Sequence, residues 1–270
     1  MSVYDATPEE EISQAAERMA VRALAVLDAV EGTDAPRPDP LGASKPDLAA
    51  ARVIGADLFA PYQLAGAPLR AELEEAVALA QAFQLFPPPE PGRADRDRDA
   101  GAGADAGADE PAAASPASPA SPASAVAWRD WAAAEFLARC ASASVLVSDA
   151  AAPMPERHPV PEDDFHWQEW SGWMAQVSPL ALPGLESPVH EAAQRHARAL
   201  ARATVRSMLR RDYRTAARTA RWLALGHSRG TASPVELAPV LRHIRLFGGP
   251  SARTALDLRI GERLAQGAGL

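Results

Sequence analysis

Between residues 187 and 225, arginine recurs mostly at steps of three or four residues, which is the spacing that places side chains on one side of an α-helix. The apolar residues of this stretch constrain the fold more strongly, because they move from one side of the helix to the other along the sequence. Up to Ser207 they share one side of a helix, and from Leu209 onward they lie on nearly the opposite side, since each residue turns a helix by about 100°. One straight helix could not bury both sides. The pattern therefore predicts a helical hairpin that turns at 210–212, with Asp212 as the N-cap of its second arm.

Each arm of this hairpin is expected to bury one face and to present arginine on the other. The candidate partner-binding residues are Arg198, Arg202, Arg206, Arg210, Arg211, Arg214, Arg218 and Arg221. Only one lysine, Lys45, occurs among the 27 basic residues. A GC-rich, bacterial-type genome would produce the same arginine bias without any function, and this alternative stays open.

Charge is distributed unevenly along the chain. The last 81 residues hold 15 arginines and 5 acidic residues, a net charge of +10, whereas the first 189 hold 12 basic and 30 acidic residues, a net charge of −18. Such asymmetry is typical of a polyanion-binding region or of two halves that attract each other. The expected partner is an acidic protein surface, or the chain's own N-terminal half. Nucleic acid is the less favoured alternative, because its binders usually add stacking side chains and only Tyr213 and Trp222 lie near the arginines.

Composition excludes several classes of protein. The single cysteine, Cys140, excludes a disulfide framework or a thiolate metal cluster within one chain. The N-terminus lacks the basic and apolar segments of a secretory signal, and no run approaches the roughly 18 apolar residues of a membrane span. We therefore expect a cytoplasmic protein with no membrane partner. We also expect no cofactor, because no Walker A loop, G-x-G-x-x-G run or zinc-finger spacing occurs. Aromatic residues make up only 6% of the chain and alanine is abundant, so its core should depend on close helix packing.

Capping residues and proline-rich breaks divide the chain into three parts. Residues 1–86 are predicted to form an acidic helical region, and residues 125–270 a basic helical domain. Between them, residues 87–124 carry Gly-Ala-Asp and Ser-Pro-Ala repeats. Such repeats bury too little apolar surface to repay the entropy of ordering, so this stretch is predicted to be a long disordered linker.

Most helix starts are predicted from caps that are followed by proline or acidic residues. Thr7, Pro8 and Glu10 form a capping box that opens a helix running to Gly32. Further helices are predicted from Asp47, about Ala67, around Trp128, and from Glu162, Ser187, Ser233 and Ser251. Residues 144–147 are the only strand-like run, and one strand makes no sheet. The predicted fold class is therefore all-α, either a helical bundle or an array of helical hairpins.

The run Arg211-Asp212-Tyr213-x-x-Ala216 is similar to the G-D-Y-x-x-A run of tetratricopeptide helices, and 251–256 echoes it weakly 39 residues later. Tetratricopeptide repeats are pairs of helices that stack into an array. The glycine and aromatic expected in the preceding helix are missing. The similarity is therefore one of architecture, and it implies a tetratricopeptide-like arrangement without indicating a particular family.

One serine, Ser228, lies in a short sequence that matches a known catalytic motif. Gly226-His227-Ser228-Arg229-Gly230 matches the G-x-S-x-G nucleophile elbow of α/β-hydrolases, in which a strand-to-helix turn presents the hydroxyl. Asp257 and His243 would have to complete the triad. An arginine-rich helix precedes the motif instead of a strand, and only 40 residues follow it. We therefore predict a helix end and a turn, with a serine hydrolase as a remote alternative.

Two other residue sets are open to a functional and a structural interpretation. Metal ligation by one helix face would use Asp163, Asp164, His166 and Glu169, but these residues also form an ordinary acidic first turn, and no second ligand pair follows. The tryptophans could form a stacking platform, but the chain has few other large residues to fill a core. We predict no metal site and buried tryptophans. The predicted function is that of a non-enzymatic interaction or accessory protein.

Overall fold

Every regular element that the structure describes is a helix. The computed structural model describes residues 6–30, 40–87, 120–142, 154–155, 158–161 and 166–267. Within these ranges no strand is present, so the predicted all-α class is confirmed. None of the described helices combines the length and apolarity that crossing a bilayer requires. The tetratricopeptide-like arrangement stays a prediction.

The N-terminal helices begin with the predicted capping box. The Glu10 N–H donates to Thr7 Oγ1 at 3.3 Å, and the Thr7 N–H donates to Glu10 Oε2 at 2.8 Å. These two bonds satisfy backbone donors that a helix start otherwise leaves unpaired. The elements of this part are α1 (Pro8–Val30), α2 (Lys45–Ile54), a 3₁₀ segment (Gly55–Phe59), α3 (Ala60–Leu64) and α4 (Glu74–Leu85).

Two predicted helix starts in this part are wrong. Helix α2 begins earlier than Asp47, because Ser44 is its N-cap and accepts a hydrogen bond from the Asp47 N–H at 3.3 Å. Helix α4 begins at Glu74 rather than near Ala67, because residues 65–73 form turns and irregular backbone. The helical spacing of apolar residues begins several positions before the true start of the helix. Apolar periodicity alone therefore does not locate a helix boundary.

The C-terminal elements account for most of the described chain. They are α5 (Pro122–Ser142), α6 (Trp167–Gln176), a 3₁₀ turn (Ser178–Leu180), α7 (Pro188–Arg195), α8 (Ala197–Leu209), α9 (Tyr213–Ser228), α10 (Leu237–Phe247) and α11 (Ala252–Gln266). Helix α5 begins inside the predicted linker, whose residues 88–119 lie outside the described residues. The strand-like run 144–147 also lies outside them. The three-part domain division stays a prediction.

The hairpin of α8 and α9 is confirmed with its predicted turn. The Asp212 carboxylate accepts a hydrogen bond from the Thr215 N–H at 3.1 Å, and Arg211 takes a left-handed conformation with φ of 60°. The first arm, however, is not one helix, because the chain breaks at His196 between α7 and α8. Helix α10 also starts later than predicted: the Ser233 hydroxyl bonds to Val235, and Glu236 occupies the N-cap position.

Helix α9 lies at the centre of the C-terminal helices and packs against α6, α7, α8, α10 and α11. Its fully buried alanines keep side-chain bulk low, and Gly261 on α11 lies so near that a Cβ built there would be in van der Waals contact with the Cα of Arg221, at 3.6 Å. The buried tryptophans are Trp128, Trp131, Trp170, Trp173 and Trp222. The core therefore combines close helix contact with a few large rings, and the prediction that the tryptophans fill it is confirmed for these five.

Candidate functional site

Helix α8 presents a mixed basic and apolar surface. Arg198, Arg202 and Arg206 follow one another at four-residue steps and are exposed. Val205 and Leu209 lie on the same side of the helix by the same periodicity, and their side chains are 40% and 81% exposed. We call these five residues the α8 face.

A tryptophan from another helix underlies this surface. The guanidinium carbons of Arg202 and Arg206 lie 4.7 and 5.7 Å from the centre of the half-buried Trp167 ring on α6. Cation–π attraction at this distance restrains the two side chains without neutralising them. Sequence reasoning missed Trp167 here, because its helical spacing matched that of the core tryptophans.

The α8 arginines keep their charge available. Within the described residues, no ion pair is formed by Arg198, Arg202 or Arg206, nor by Arg210 and Arg211 in the turn that follows. All five are exposed. This part of the predicted arginine face is on the surface, as expected.

On α9, part of the predicted arginine face is exposed and part of it is buried. Arg214 is exposed, but Arg218 is half-buried and donates from Nε to Asp257 Oδ2 at 3.3 Å. Arg221 is fully buried, so the expectation that this arm presents all its arginines to solvent is wrong at that position. Helix α11 covers this side of α9 and brings the Asp257 carboxylate against the arginines.

Arg221 forms the centre of a buried ionic cluster. Its Nη2 donates to Asp57 Oδ1 at 2.6 Å, its Nη1 to Asp257 Oδ1 at 3.1 Å, and its Nε to the Ala181 carbonyl at 3.1 Å. Burial opposes its charge, but the two carboxylates outweigh burial and raise the pKa of Arg221. Burial also raises the pKa of Asp57, against the opposing attraction of Arg221. The cluster ties the N-terminal and C-terminal helices together.

An arginine-lined pocket opens beside this cluster. It lies where α5, α9 and α11 meet the end of α2. Its charged lining residues are Asp57, Arg129, Arg218, Arg253 and Asp257. Sequence reasoning did not find this pocket, because its arginines come from three separate helices.

Ser228 lies at the end of a helix, as the structural interpretation of its motif predicts. Its hydroxyl donates to the Leu225 carbonyl at 2.8 Å, and Gly230 turns the chain with φ of 83°. The proposed triad partners are engaged elsewhere in the described structure: Asp257 holds Arg221, and His243 packs against the Phe247 ring at 4.7 Å. This arrangement lacks the strand-to-helix turn that a nucleophile elbow requires.

A second serine lies beside a histidine and was not singled out from the sequence. Ser187 Oγ is 2.9 Å from His190 Nδ1, and His190 Nε2 is 3.0 Å from the Leu180 carbonyl. Since a carbonyl can only accept, Nε2 carries the proton and Nδ1 accepts from the serine hydroxyl. Burial lowers the pKa of His190 to about 4, so the ring is neutral near neutral pH. Both side chains are buried, and the pair fixes the start of α7.

The four candidate metal ligands are only partly described. His166 and Glu169 are exposed near the start of α6, whereas Asp163 and Asp164 lie outside the described residues. Among the residues that the structure describes, no group of three histidine, cysteine, aspartate or glutamate side chains is arranged to hold a metal ion.

Comparisons of this chain with models of protein families, with curated proteins and with solved structures find no match. The α8 face and the arginine-lined pocket are therefore the two features of the described structure that bear on function.

Proposed function

We propose that the protein is a non-enzymatic interaction or accessory protein that binds an acidic protein segment through the α8 face. The observation that carries this proposal is the exposure of Val205 and Leu209 among arginines that have no carboxylate partner in the described structure. The segment it fits has an apolar anchor flanked by carboxylates.

The energetics favour a protein partner over a nucleic acid. Burying one exposed leucine contributes about 1.5–3 kcal/mol, and Leu209 has most of its side chain available for this. Arginine is enriched in interface hot spots, and it binds carboxylates with two parallel hydrogen bonds. Phosphate backbones make no use of an exposed leucine, and Trp167 lies under arginines instead of offering an open ring.

The chain's own acidic half is the less favoured occupant of the α8 face. Three carboxylates of the described N-terminal elements contact groups outside α8. Asp57 pairs with Arg221, Asp28 pairs with Arg259 at 3.1 Å, and Glu17 accepts from the Ala252 N–H at 2.6 Å. These contacts lie on α9 and α11, and none of them reaches α8. They support an acidic partner from another chain.

The proposal is tested with designed probes and the full-length protein. The first probe is a labelled helical peptide with leucine along one face and glutamate elsewhere. The second has the same charge but alanine in place of leucine, and the third is a random DNA duplex. We expect the leucine peptide to bind at least about tenfold more tightly than the alanine peptide, since the buried apolar area supplies the difference.

Substitutions on the α8 face should weaken this binding selectively. Leu209→Ser should abolish the preference for the leucine peptide, and Arg202→Ala/Arg206→Ala should weaken both peptides. The matched controls are Leu85→Ser at an exposed position on α4 and Arg242→Ala on α10, which should leave binding unchanged. Tighter binding of the duplex, steeply salt-dependent and lost in the double arginine variant, would put the nucleic-acid alternative first. Fluorophosphonate labelling that disappears in Ser228→Ala would overturn the non-enzymatic part of the proposal.

A further inference from the structure

The pocket beside Arg221 contains more positive than negative charge. Arg129, Arg218 and Arg253 line it, and its carboxylates, Asp57 and Asp257, both already pair with Arg221 beneath. With both carboxylates ionised, these four arginines and two aspartates leave a net charge of +2. Partly buried positive charge without a counterion is costly, because low-dielectric surroundings screen its self-repulsion poorly.

Several N–H donors of the guanidinium groups that line this pocket have no hydrogen-bond partner among the described residues. Arg129 donates from Nη2 to the Val53 carbonyl, but its Nε is buried and has no hydrogen-bond partner among the described residues. The half-buried Arg253 makes no side-chain hydrogen bond or ion pair within those residues. Among the described residues, Arg218 donates only from its Nε, to Asp257. Unused donors from three helices therefore surround one small space.

The pKa values of the pocket arginines reflect the same excess of positive charge. Burial, with repulsion from the neighbouring Arg214, Arg218 and Arg129, lowers the pKa of Arg253 to about 10. Burial and the nearby Arg218 also lower the pKa of Arg129. The Glu17 carboxylate lies at the start of α11, where it accepts from Ser251 and backbone N–H groups, but it forms no ion pair with Arg253 in the described structure. An anion entering the pocket would remove the repulsion.

We propose that this pocket binds a phosphate-class oxyanion, either inorganic phosphate or the phosphate group of a small phosphomonoester. A dianion matches the net charge of +2, and the planar guanidinium forks of Arg129, Arg218 and Arg253 suit phosphate oxygens. The exposed Gln176 amide at the same pocket is a neutral donor. The remaining lining residues are apolar and would contact the carbon chain of a phosphomonoester: Val53, Ile54, Pro179 and Leu256. This site is separate from the α8 face and does not depend on its function.

Binding is measured on the full-length protein by calorimetry and by thermal unfolding, with ionic strength held constant by sodium chloride. The probes are inorganic phosphate, glycerol 3-phosphate and, as a singly charged control, acetate. We expect both phosphates to raise the melting temperature with increasing concentration, as binding to the folded state requires, and acetate to have no such effect. Tighter binding of glycerol 3-phosphate identifies a phosphomonoester site, and tighter binding of inorganic phosphate identifies a site for the free ion.

Arg253→Gln is the decisive variant, because it removes a charge without breaking a side-chain hydrogen bond or ion pair in the described structure. It should fold at least as stably as the wild type and bind phosphate at least about tenfold more weakly, the usual cost of losing a charge-assisted contact. Arg129→Gln should weaken binding similarly, and Arg242→Gln on the exposed side of α10 should leave it unchanged. The proposal is overturned if phosphate does not bind at tens of millimolar. It is also overturned if Arg253→Gln folds and leaves the phosphate affinity unchanged, whether or not its melting temperature rises.

Discussion

At the scale of single residues, burial decides what each arginine can do. Arg198 and Arg221 occur in the same periodic run, yet one is exposed and the other has no exposed surface. Arg221 tolerates burial because its donors contact Asp57, Asp257 and the Ala181 carbonyl. A buried charge is stable only while such partners remain, so this arginine contributes to structure and the exposed one is available for binding.

Arg221→Met should destabilise the fold strongly. Asp257 would keep Arg218 as a partner, but Asp57 accepts a side-chain hydrogen bond only from Arg221 among the described residues. Leaving a buried carboxylate unpaired costs about 3–5 kcal/mol of unfolding free energy. Urea denaturation followed by circular dichroism measures the loss.

Two further variants separate this explanation from a simple packing defect. Arg221→Met/Asp57→Asn should recover part of the loss, because the unpaired charge is gone. Arg198→Met on the α8 surface should change the unfolding free energy by less than about 0.5 kcal/mol. A loss below 1 kcal/mol in Arg221→Met would contradict the importance of the buried cluster.

At the scale of elements, the turn between α8 and α9 sets the direction of both helices. Arg211 takes the left-handed conformation that ends many helices, and Asp212 then caps the next one. A non-glycine residue in that conformation carries a cost of about 1–2 kcal/mol. The hydrogen bond to the Thr215 N–H and the burial of the α9 alanines offset it.

Asp212→Ala should lower the unfolding free energy by about 1 kcal/mol, the usual value of an N-cap, whereas Asp212→Ser should retain most of it. Both variants are compared with the wild type by thermal and urea unfolding. Equal stability of the alanine and serine variants would show that the cap at Asp212 contributes nothing at this position.

At the scale of the whole molecule, the two halves of the chain share one core. Helix α1 packs against α11, and the 3₁₀ segment 55–59 packs against α5. The buried pair of Asp57 with Arg221 joins residues 164 positions apart, and Glu17 caps α11. Contacts within this protein therefore account for part of the attraction between the acidic half and the basic half.

Cleavage at a protease site engineered within 88–119 should leave two helical fragments that remain associated. The shared apolar core and the buried ion pair hold them, and buried pairs are screened little by salt. Size-exclusion chromatography at low and high salt should show co-elution under both conditions. Separation of the fragments at micromolar concentration would mean that the interface between them is weaker than its burial implies.

By itself, the sequence determined the all-α class, the capping box at Thr7 and Glu10, and the hairpin turn at Asp212. Each of these depends on residues a few positions apart, and local periodicity and capping chemistry determine them. The start of helix α4 was predicted incorrectly and the break at His196 was not predicted, because helix boundaries also depend on what packs against them. Only the tertiary structure decided which arginines are buried, since Asp57 and Asp257 reach Arg221 from 164 and 36 positions away. Periodicity identifies a helix face, and the neighbouring helices then decide whether that face meets water, a tryptophan ring or a buried carboxylate.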